Sequence, residues 1–113
     1  MIVKVGVKKW IVQVVKDIRS EMVRAAGKKH WLSTSELDGC VDVERARILI
    51  SAAQSQKLRA STFLHELIHT VAPKAHELHV RHIESRLFPI LWSQGWRPEL
   101  VTDDERKLLK KSA

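Results

Sequence analysis

The sequence predicts an α+β fold with a small, mostly antiparallel sheet and two longer helices. Three observations predict it: apolar alternation in residues 2–15, two short β-prone runs in residues 40–50, and two apolar segments with helical spacing in residues 51–93. Residues 1–101 are assigned to a single domain, and residues 102–113 to a polar C-terminal tail. With 113 residues, the chain is long enough to bury one modest core.

The N-terminal segment is expected to form a β-hairpin. Apolar residues alternate with polar or small ones in two runs, first Val3, Val5 and Val7 and then Trp10, Val12 and Val14. A turn between Gly6 and Lys9 would join the two runs. One long strand is the alternative interpretation.

A short helix, residues 17–26, is expected after this hairpin. Ile18 and Met22 lie four positions apart in it, and Gly27 is placed to stop it. The polar residues 28–38 that follow are expected to be irregular, because they carry no periodic apolar pattern.

A second hairpin is expected from residues 40–43 and 46–50, which are short and β-prone. Ile48 and Ile50 would share one face of its second strand.

Cys40 is the only cysteine of the chain, so no intrachain disulfide can form. This cysteine usage is typical of a reducing compartment and predicts a cytoplasmic location.

Two longer helices are expected to meet at Pro73. The first would begin between Ser51 and Ser55, either of which can cap it, and would end before Pro73, which cannot continue the helical hydrogen bonds. The second is expected at residues 75–93, with a kink or a break at Pro89. Its core-facing stripe is predicted from apolar residues at helical spacing: Val80, Ile83, Leu87, Ile90 and Leu91.

The end of the chain carries its own stop and start signals. Gly95 is expected to end the second long helix, and Trp92 and Trp96 to pack back onto the core. The polar tail then follows, either as a short helix capped by Thr102 with Glu105 three positions later, or as a frayed end.

The first long helix contains His65-Glu66-Leu67-Ile68-His69, which matches H-E-x-x-H. Histidines four positions apart lie on one helix face, so both imidazoles can bind a single zinc ion. Glu66 would lie beside that ion, where it can act as general base toward a zinc-activated water. A half-buried helix that contains two histidines but binds no metal is the alternative.

A third ligand is expected at the start of the second long helix, because catalytic zinc commonly has three protein ligands. An antiparallel helix brings only its first turns back beside His69. Counting back from Val80 by three and four residues reaches Glu77 and His76, both near the core-facing side. Glu77 is favoured, and His76 remains the alternative. Three other side chains are expected outside the site, on the solvated face or further along the helix: His79, His82 and Glu84.

The metallopeptidase class with H-E-x-x-H-x-x-G-x-x-H is excluded, because Ala72 and Ala75 stand at its glycine and third-histidine positions.

Another likeness to known proteins covers residues 6–96. It consists of G-x-x-K-W at 6–10, a hairpin leading from Gly39 to R-I-L-I at 47–50, T-F-L-H-E-L-I-H at 62–69, an acidic residue three before Val80, and L-W at 91–92 before Gly95-Trp96. With these segments the chain resembles small phage- and prophage-type H-E-x-x-H proteins, minimal zincins similar to SprT-like and ImmA/IrrE-like metallopeptidases.

This resemblance implies a small twisted sheet packed on the motif helix, with the next helix completing a Zn²⁺ site. It places the third ligand three residues before the valine, so that His65, His69 and Glu77 would bind zinc and Glu66 would be catalytic. The histidine-rich stretch 76–82 departs from the pattern. A phage origin would place the protein in the host cytoplasm.

The composition of the chain limits the kinds of partner that we expect it to bind. The net charge of +7 comes from dispersed basic residues without an aromatic platform, so we expect at most weak, non-specific binding to nucleic acid. We expect no membrane partner, because no apolar run is long enough to span a bilayer, and the lysines of the N-terminus do not suit a signal peptide. The sequence defines no oligomeric state.

The sequence therefore predicts a zinc-dependent hydrolase, and within that class a metallopeptidase acting on a peptide or protein. The edge of the sheet is the expected place for an extended substrate to add as a strand. Two alternatives remain: a zinc-bearing binding or regulatory module without activity, and a basic accessory protein of nucleic acid.

Overall fold

A computed structural model describes residues 1–26 and 38–112 of the chain. These ranges contain four strands and four helices: β1 (Ile2–Val5), β2 (Lys8–Val15), α1 (Ile18–Ala26), β3 (Gly39–Asp42), β4 (Arg47–Ser51), α2 (Gln56–Val71), α3 (Glu77–Ser93) and α4 (Asp103–Ser112). The predicted α+β class is confirmed. The predictions for Gly27 and for the irregular residues up to 37 lie outside the described residues. No helix within the described ranges is long and apolar enough to cross a membrane.

The four strands form one mixed sheet in the order β1-β2-β4-β3. Both predicted hairpins are confirmed, since β1 pairs with β2 and β3 pairs with β4 in antiparallel register. The central pairing is parallel, with Val12 opposite Ile48, so the sheet is mixed, and two of its three pairings are antiparallel. Parallel neighbours need a long crossover connection, and here α1 and the residues after it separate β2 from β3 and β4.

The core lies between this sheet and α2. Alternate residues of β2 and β4 point to it, so that Trp10, Val12, Ile48 and Ile50 are buried, and Ile48 and Ile50 share one face as predicted. They form one apolar cluster with side chains from the helices and from the segment after α3: Ala60, Phe63, Leu64, Phe88 and Leu100.

Helix α2 begins and ends where the local chemistry requires. The Ser55 side chain accepts a hydrogen bond of 3.3 Å from the Leu58 amide, so Ser55 is the N-cap. The last helical residue is Val71, two positions before Pro73. Both predicted boundaries are confirmed.

Helix α3 is continuous through Pro89, so the expected break is not found. Pro89 is exposed, and the Ser85 carbonyl that loses a helical donor is on an exposed residue, where water can replace that donor. The helix ends at Ser93, and Gly95 follows with a φ of 91°, which glycine adopts without steric cost.

The predicted apolar stripe of α3 is wrong in part. Val80 is fully buried, but Ile83, Leu87 and Ile90 are 41%, 37% and 58% exposed. The inward face runs instead through Val80, Glu84, Phe88 and Leu91, with Trp92 beside it. The physical reason is that α3 packs on α2 along one side only and faces solvent elsewhere, so apolar residues alone do not define its orientation.

The C-terminal tail is helical and attached to α2. The predicted capping pair is confirmed: the Thr102 amide donates to Glu105 at 2.8 Å, and the Glu105 amide donates to the Thr102 hydroxyl at 3.1 Å. Buried Arg59 of α2 donates to both Glu105 oxygens, at 2.8 and 3.1 Å, and to the Leu100 carbonyl at 2.9 Å.

Candidate metal centre

The two motif histidines lie side by side on α2, with ring centroids 4.9 Å apart. Each is half-buried, and each turns its Nε2 atom toward Glu77. His65 Nε2 lies 2.8 Å from Glu77 Oε1, and His69 Nε2 lies 2.8 Å from Oε2 of the same carboxylate. The structure therefore brings the three predicted ligands together, with their ligand atoms within 4.8 Å of one another.

Glu77 reaches the histidines because it is the first residue of α3, directly after the turn that reverses the chain. Its neighbour His76 is the N-cap of the same helix, and its Nδ1 accepts a hydrogen bond of 3.1 Å from the Leu78 amide. His79 and His82 are exposed on α3, as predicted. Within the described residues, Glu77 rather than His76 completes the cluster.

The donor set fits zinc. Two imidazole nitrogens and a carboxylate oxygen are common zinc ligands, and ligands of a tetrahedral zinc ion lie about 3.3 Å apart. The two 2.8 Å contacts, each with a different oxygen of Glu77, would open by about half an ångström, and ligand atoms up to 4.8 Å apart would have to move closer together. Although burial acts in the opposite direction, the adjacent His65 and His69 lower the pKa of Glu77, which keeps it in the anionic form that binds a cation.

Glu66 is a buried carboxyl group, 8% exposed, one residue after the first histidine. Burial raises its pKa to about 7; the carboxylates of Glu77 and Glu84 act in the same direction, against the opposing effect of His65. Such a group can both take up and release a proton near neutral pH, which is the requirement for general acid–base catalysis.

The histidines, Glu66 and Glu77 lie on a cleft of about 750 Å³. Strand β3 forms one wall with Gly39, Cys40 and Val41, and α2 and α3 form the opposite wall.

Burial raises the pKa of the Cys40 thiol to about 11, with further contributions from Glu66 and Asp42. Cys40 is therefore protonated at neutral pH and is a poor candidate for a nucleophile.

Two polar residues of the site were not predicted from the sequence. Glu84 Oε1 lies 2.8 Å from His65 Nδ1, and the Ser61 hydroxyl donates to Glu84 Oε2 at 2.6 Å. The sequence-based expectation placed Glu84 beyond the site, because the stripe through Ile83 set the wrong inward face. The spacing could have revealed it: Glu84 lies four residues after Val80 and seven after Glu77, on the same side of a helix.

Comparison of the chain with protein-family models, with curated proteins and with solved structures gives no match. The likeness to small zincins therefore remains a prediction from the motif and its surroundings. The structural finding is the geometry itself: two imidazoles and a carboxylate converge beside a buried carboxyl group, on a cleft bordered by an edge strand.

Proposed function

We propose that this protein is a zinc-dependent hydrolase, specifically a metallopeptidase of minimal zincin-like architecture. The observation that carries the proposal is the meeting of both His65 and His69 Nε2 atoms with the Glu77 carboxylate, beside buried Glu66. The sequence motif supplies two of these ligands, and the start of α3 supplies the third from a separate helix.

His65, His69 and Glu77 would hold the metal, leaving a position open toward the cleft. Zinc bound there supplies Lewis acidity: it lowers the pKa of a water molecule and polarises the carbonyl group of a substrate. The three side chains come from the middle of α2 and the first turn of α3, so the packing of these two helices determines their mutual positions.

Glu66 would move the proton. In this proposal its carboxylate takes a proton from the attacking water and later gives it to the nitrogen of the leaving amine. In the metal-free protein burial raises the pKa of Glu66 to about 7, and the charge of a bound zinc ion would lower it again, toward the carboxylate form that accepts a proton from water. Its burial beneath β3 also limits the access of bulk water to that proton.

The substrate would be an extended peptide lying along β3. In the part of the chain that the structure describes, β3 pairs with β4 on one side only and forms a wall of the cleft. An exposed strand edge can hydrogen-bond the main chain of an added peptide with little dependence on its sequence. This arrangement would bring a peptide carbonyl group beside the histidine cluster.

Metal analysis combined with Glu66→Gln tests the proposal. Untagged protein, purified without immobilised metal, should carry about one zinc per chain, and His65→Ala should lose it. His82→Ala is the matched control, since His82 is an exposed histidine of α3 outside the cluster. Glu66→Gln should keep zinc and lose the hydrolysis of a mixed peptide library, read by mass spectrometry.

The outcomes separate the alternatives. Wild-type protein without zinc would contradict the metal site, and hydrolysis that survives Glu66→Gln would contradict the base. A protein that holds zinc but cleaves neither peptides nor unfolded proteins would instead be a zinc-bearing binding or regulatory module.

A further inference from the structure

A chain of three polar side chains joins α2 to α3 behind the histidine cluster. The Ser61 hydroxyl donates to one oxygen of Glu84, and the other oxygen of Glu84 lies 2.8 Å from His65 Nδ1. Ser61 and His65 are four residues apart and therefore share one face of α2. Both carboxylate oxygens of Glu84 are thus engaged with that face.

The contact with Glu84 holds a proton on the Nδ1 atom of His65. A carboxylate can only accept, so Nδ1 is the donor in this contact, and by the same reasoning Nε2 donates to Glu77 at 2.8 Å in the metal-free protein. A metal ion at the candidate position would take the place of the Nε2 proton, because the bond to Glu84 keeps Nδ1 occupied. The same bond restricts rotation of the imidazole, because Glu84 is itself held by Ser61.

We propose that Glu84 is a positioning residue that orients His65 and fixes its Nδ1-protonated form for metal binding, with Ser61 holding Glu84 in place. This inference rests on the proposed zinc site. A carboxylate behind a ligating histidine raises the basicity of the ring and sets its direction, and loss of such a partner typically weakens metal binding about 10- to 100-fold.

A purely structural role has a different signature. If Glu84 only joined α2 to α3, its replacement would lower the thermal midpoint of the metal-free protein and leave metal affinity unchanged. A positioning role instead changes the zinc dissociation constant and the protonation pattern of the His65 ring. Both quantities can be measured without any enzymatic activity.

The test compares zinc affinity in wild type, Glu84→Gln and Ser61→Ala by competition with a chromophoric chelator. We expect the dissociation constant to rise about 10- to 100-fold in Glu84→Gln and by a smaller factor in Ser61→Ala. Ser61→Thr keeps the hydroxyl group and should bind like wild type. Glu44→Gln removes the same charge at an exposed position away from the cleft and should have no effect.

Nitrogen-15 spectra of the histidines give the second measurement. In zinc-loaded wild type, His65 should show a protonated Nδ1 and a metal-bound Nε2, and Glu84→Gln should weaken that preference. Should Glu84→Gln fail to fold, the Ser61→Ala and Ser61→Thr pair decides, since each changes only a small side chain.

Equal zinc affinity in wild type and Glu84→Gln, with an unchanged His65 spectrum, would overturn the positioning role and leave the proposed zinc site intact. Wild type that binds no zinc would overturn both. Zinc binding that depends on Glu84 in a protein without hydrolysis would support the positioning role and contradict only the hydrolase.

Discussion

Gly39 of β3 lies so close to Thr62 of α2 that a Cβ atom added to the glycine would stand 2.5 Å from the threonine Cγ2. The same atom would stand 3.2 Å from Glu66 Cγ and 3.2 Å from the Leu49 carbonyl oxygen. A glycine at this position therefore allows the edge strand to approach the helix turn that carries Glu66. The close approach covers that carboxyl group and contributes to its burial.

Gly39→Ala should destabilise the protein by about 1–3 kcal/mol, the usual cost of inserting a methyl group into a packed contact. Thr62 cannot easily move away, because its branched side chain is restricted in a helix and its hydroxyl donates to Gln54 at 2.7 Å. The free energy of unfolding in urea measures the loss.

Thr62→Ser provides the matched second variant, because it removes the obstructing methyl group and keeps the hydroxyl bonded to Gln54. The double variant should be less destabilised than the two single changes predict together. Simple additivity would show that the contact with Thr62 is not what requires glycine at position 39.

The Arg59–Glu105 pair should make stability depend on pH in the acid range. The hydrogen bonds from Arg59, and then from the Thr102 amide, lower the pKa of Glu105 from an ordinary 4.5 to about 2. Glu105 therefore binds a proton more tightly in the unfolded chain than in the folded one. Its contribution to the free energy of unfolding is present above its unfolded pKa of 4.5 and declines as the pH falls toward its folded pKa of about 2. Wild type should exceed Glu105→Gln in stability at neutral pH, and this advantage should shrink below about pH 4.5.

Free energies of unfolding measured from neutral pH down to about pH 3 test the direction of this change. Glu105 of the folded protein keeps its charge over that range, because its folded pKa lies below it. Asp104→Asn is the control from the same helix, because the Asp104 side chain is 73% exposed and its ion pair with Lys16 is long at 3.8 Å. A difference between wild type and Glu105→Gln that stays constant with pH would contradict the role of the ion pair.

The two faces of α3 should respond differently to truncation. Phe88 is 8% exposed and packs near Trp92 and Trp96, so Phe88→Ala should cost about 3–5 kcal/mol. Ile90 is 58% exposed, and Ile90→Ala should change stability by no more than about 0.5 kcal/mol. Thermal or urea unfolding of both variants measures the difference. Similar losses in the two variants would mean that Ile90 faces the core, as the apolar stripe in the sequence predicts, and would contradict the orientation of α3 in the structure.

Local features of the fold could be predicted from the sequence because each has a local cause. Alternation defines the two hairpins, Ser55 and Pro73 bound α2, and Thr102 with Glu105 caps α4. The parallel pairing of β2 with β4 has no such signature, because strands that are distant in the chain meet through tertiary packing alone.

The candidate site, like the fold, could be predicted from the sequence only in part. Helical spacing places His65, Glu66 and His69 together, whereas the short turn before α3 left both Glu77 and His76 as candidates, with Glu77 favoured. Glu84 was placed outside the site despite its spacing from Val80, because exposed Ile83 and Leu87 make the outer side of α3 look apolar. The contacts of buried Arg59 could not be predicted either, because its partners Leu100 and Glu105 lie more than forty residues away in the chain.

Zinc should stabilise the folded protein by mass action. A ligand present at about 100 times its dissociation constant contributes about 2.7 kcal/mol when it binds the folded state alone. Adding zinc to metal-free wild type should therefore raise the thermal midpoint, and a chelator should reverse the rise. His69→Ala should remove most of this response, while exposed His79→Ala should retain it.

The most direct measurement of the central claim is the zinc content of untagged wild type, Glu77→Ala and His76→Ala, determined by mass spectrometry of the metal. We expect about one zinc per chain in wild type and in His76→Ala, because the His76 side chain caps α3 instead of joining the cluster. Glu77→Ala should hold far less. Retention of zinc in Glu77→Ala with its loss in His76→Ala, or wild type without zinc, would contradict the assignment of His65, His69 and Glu77 as a metal site.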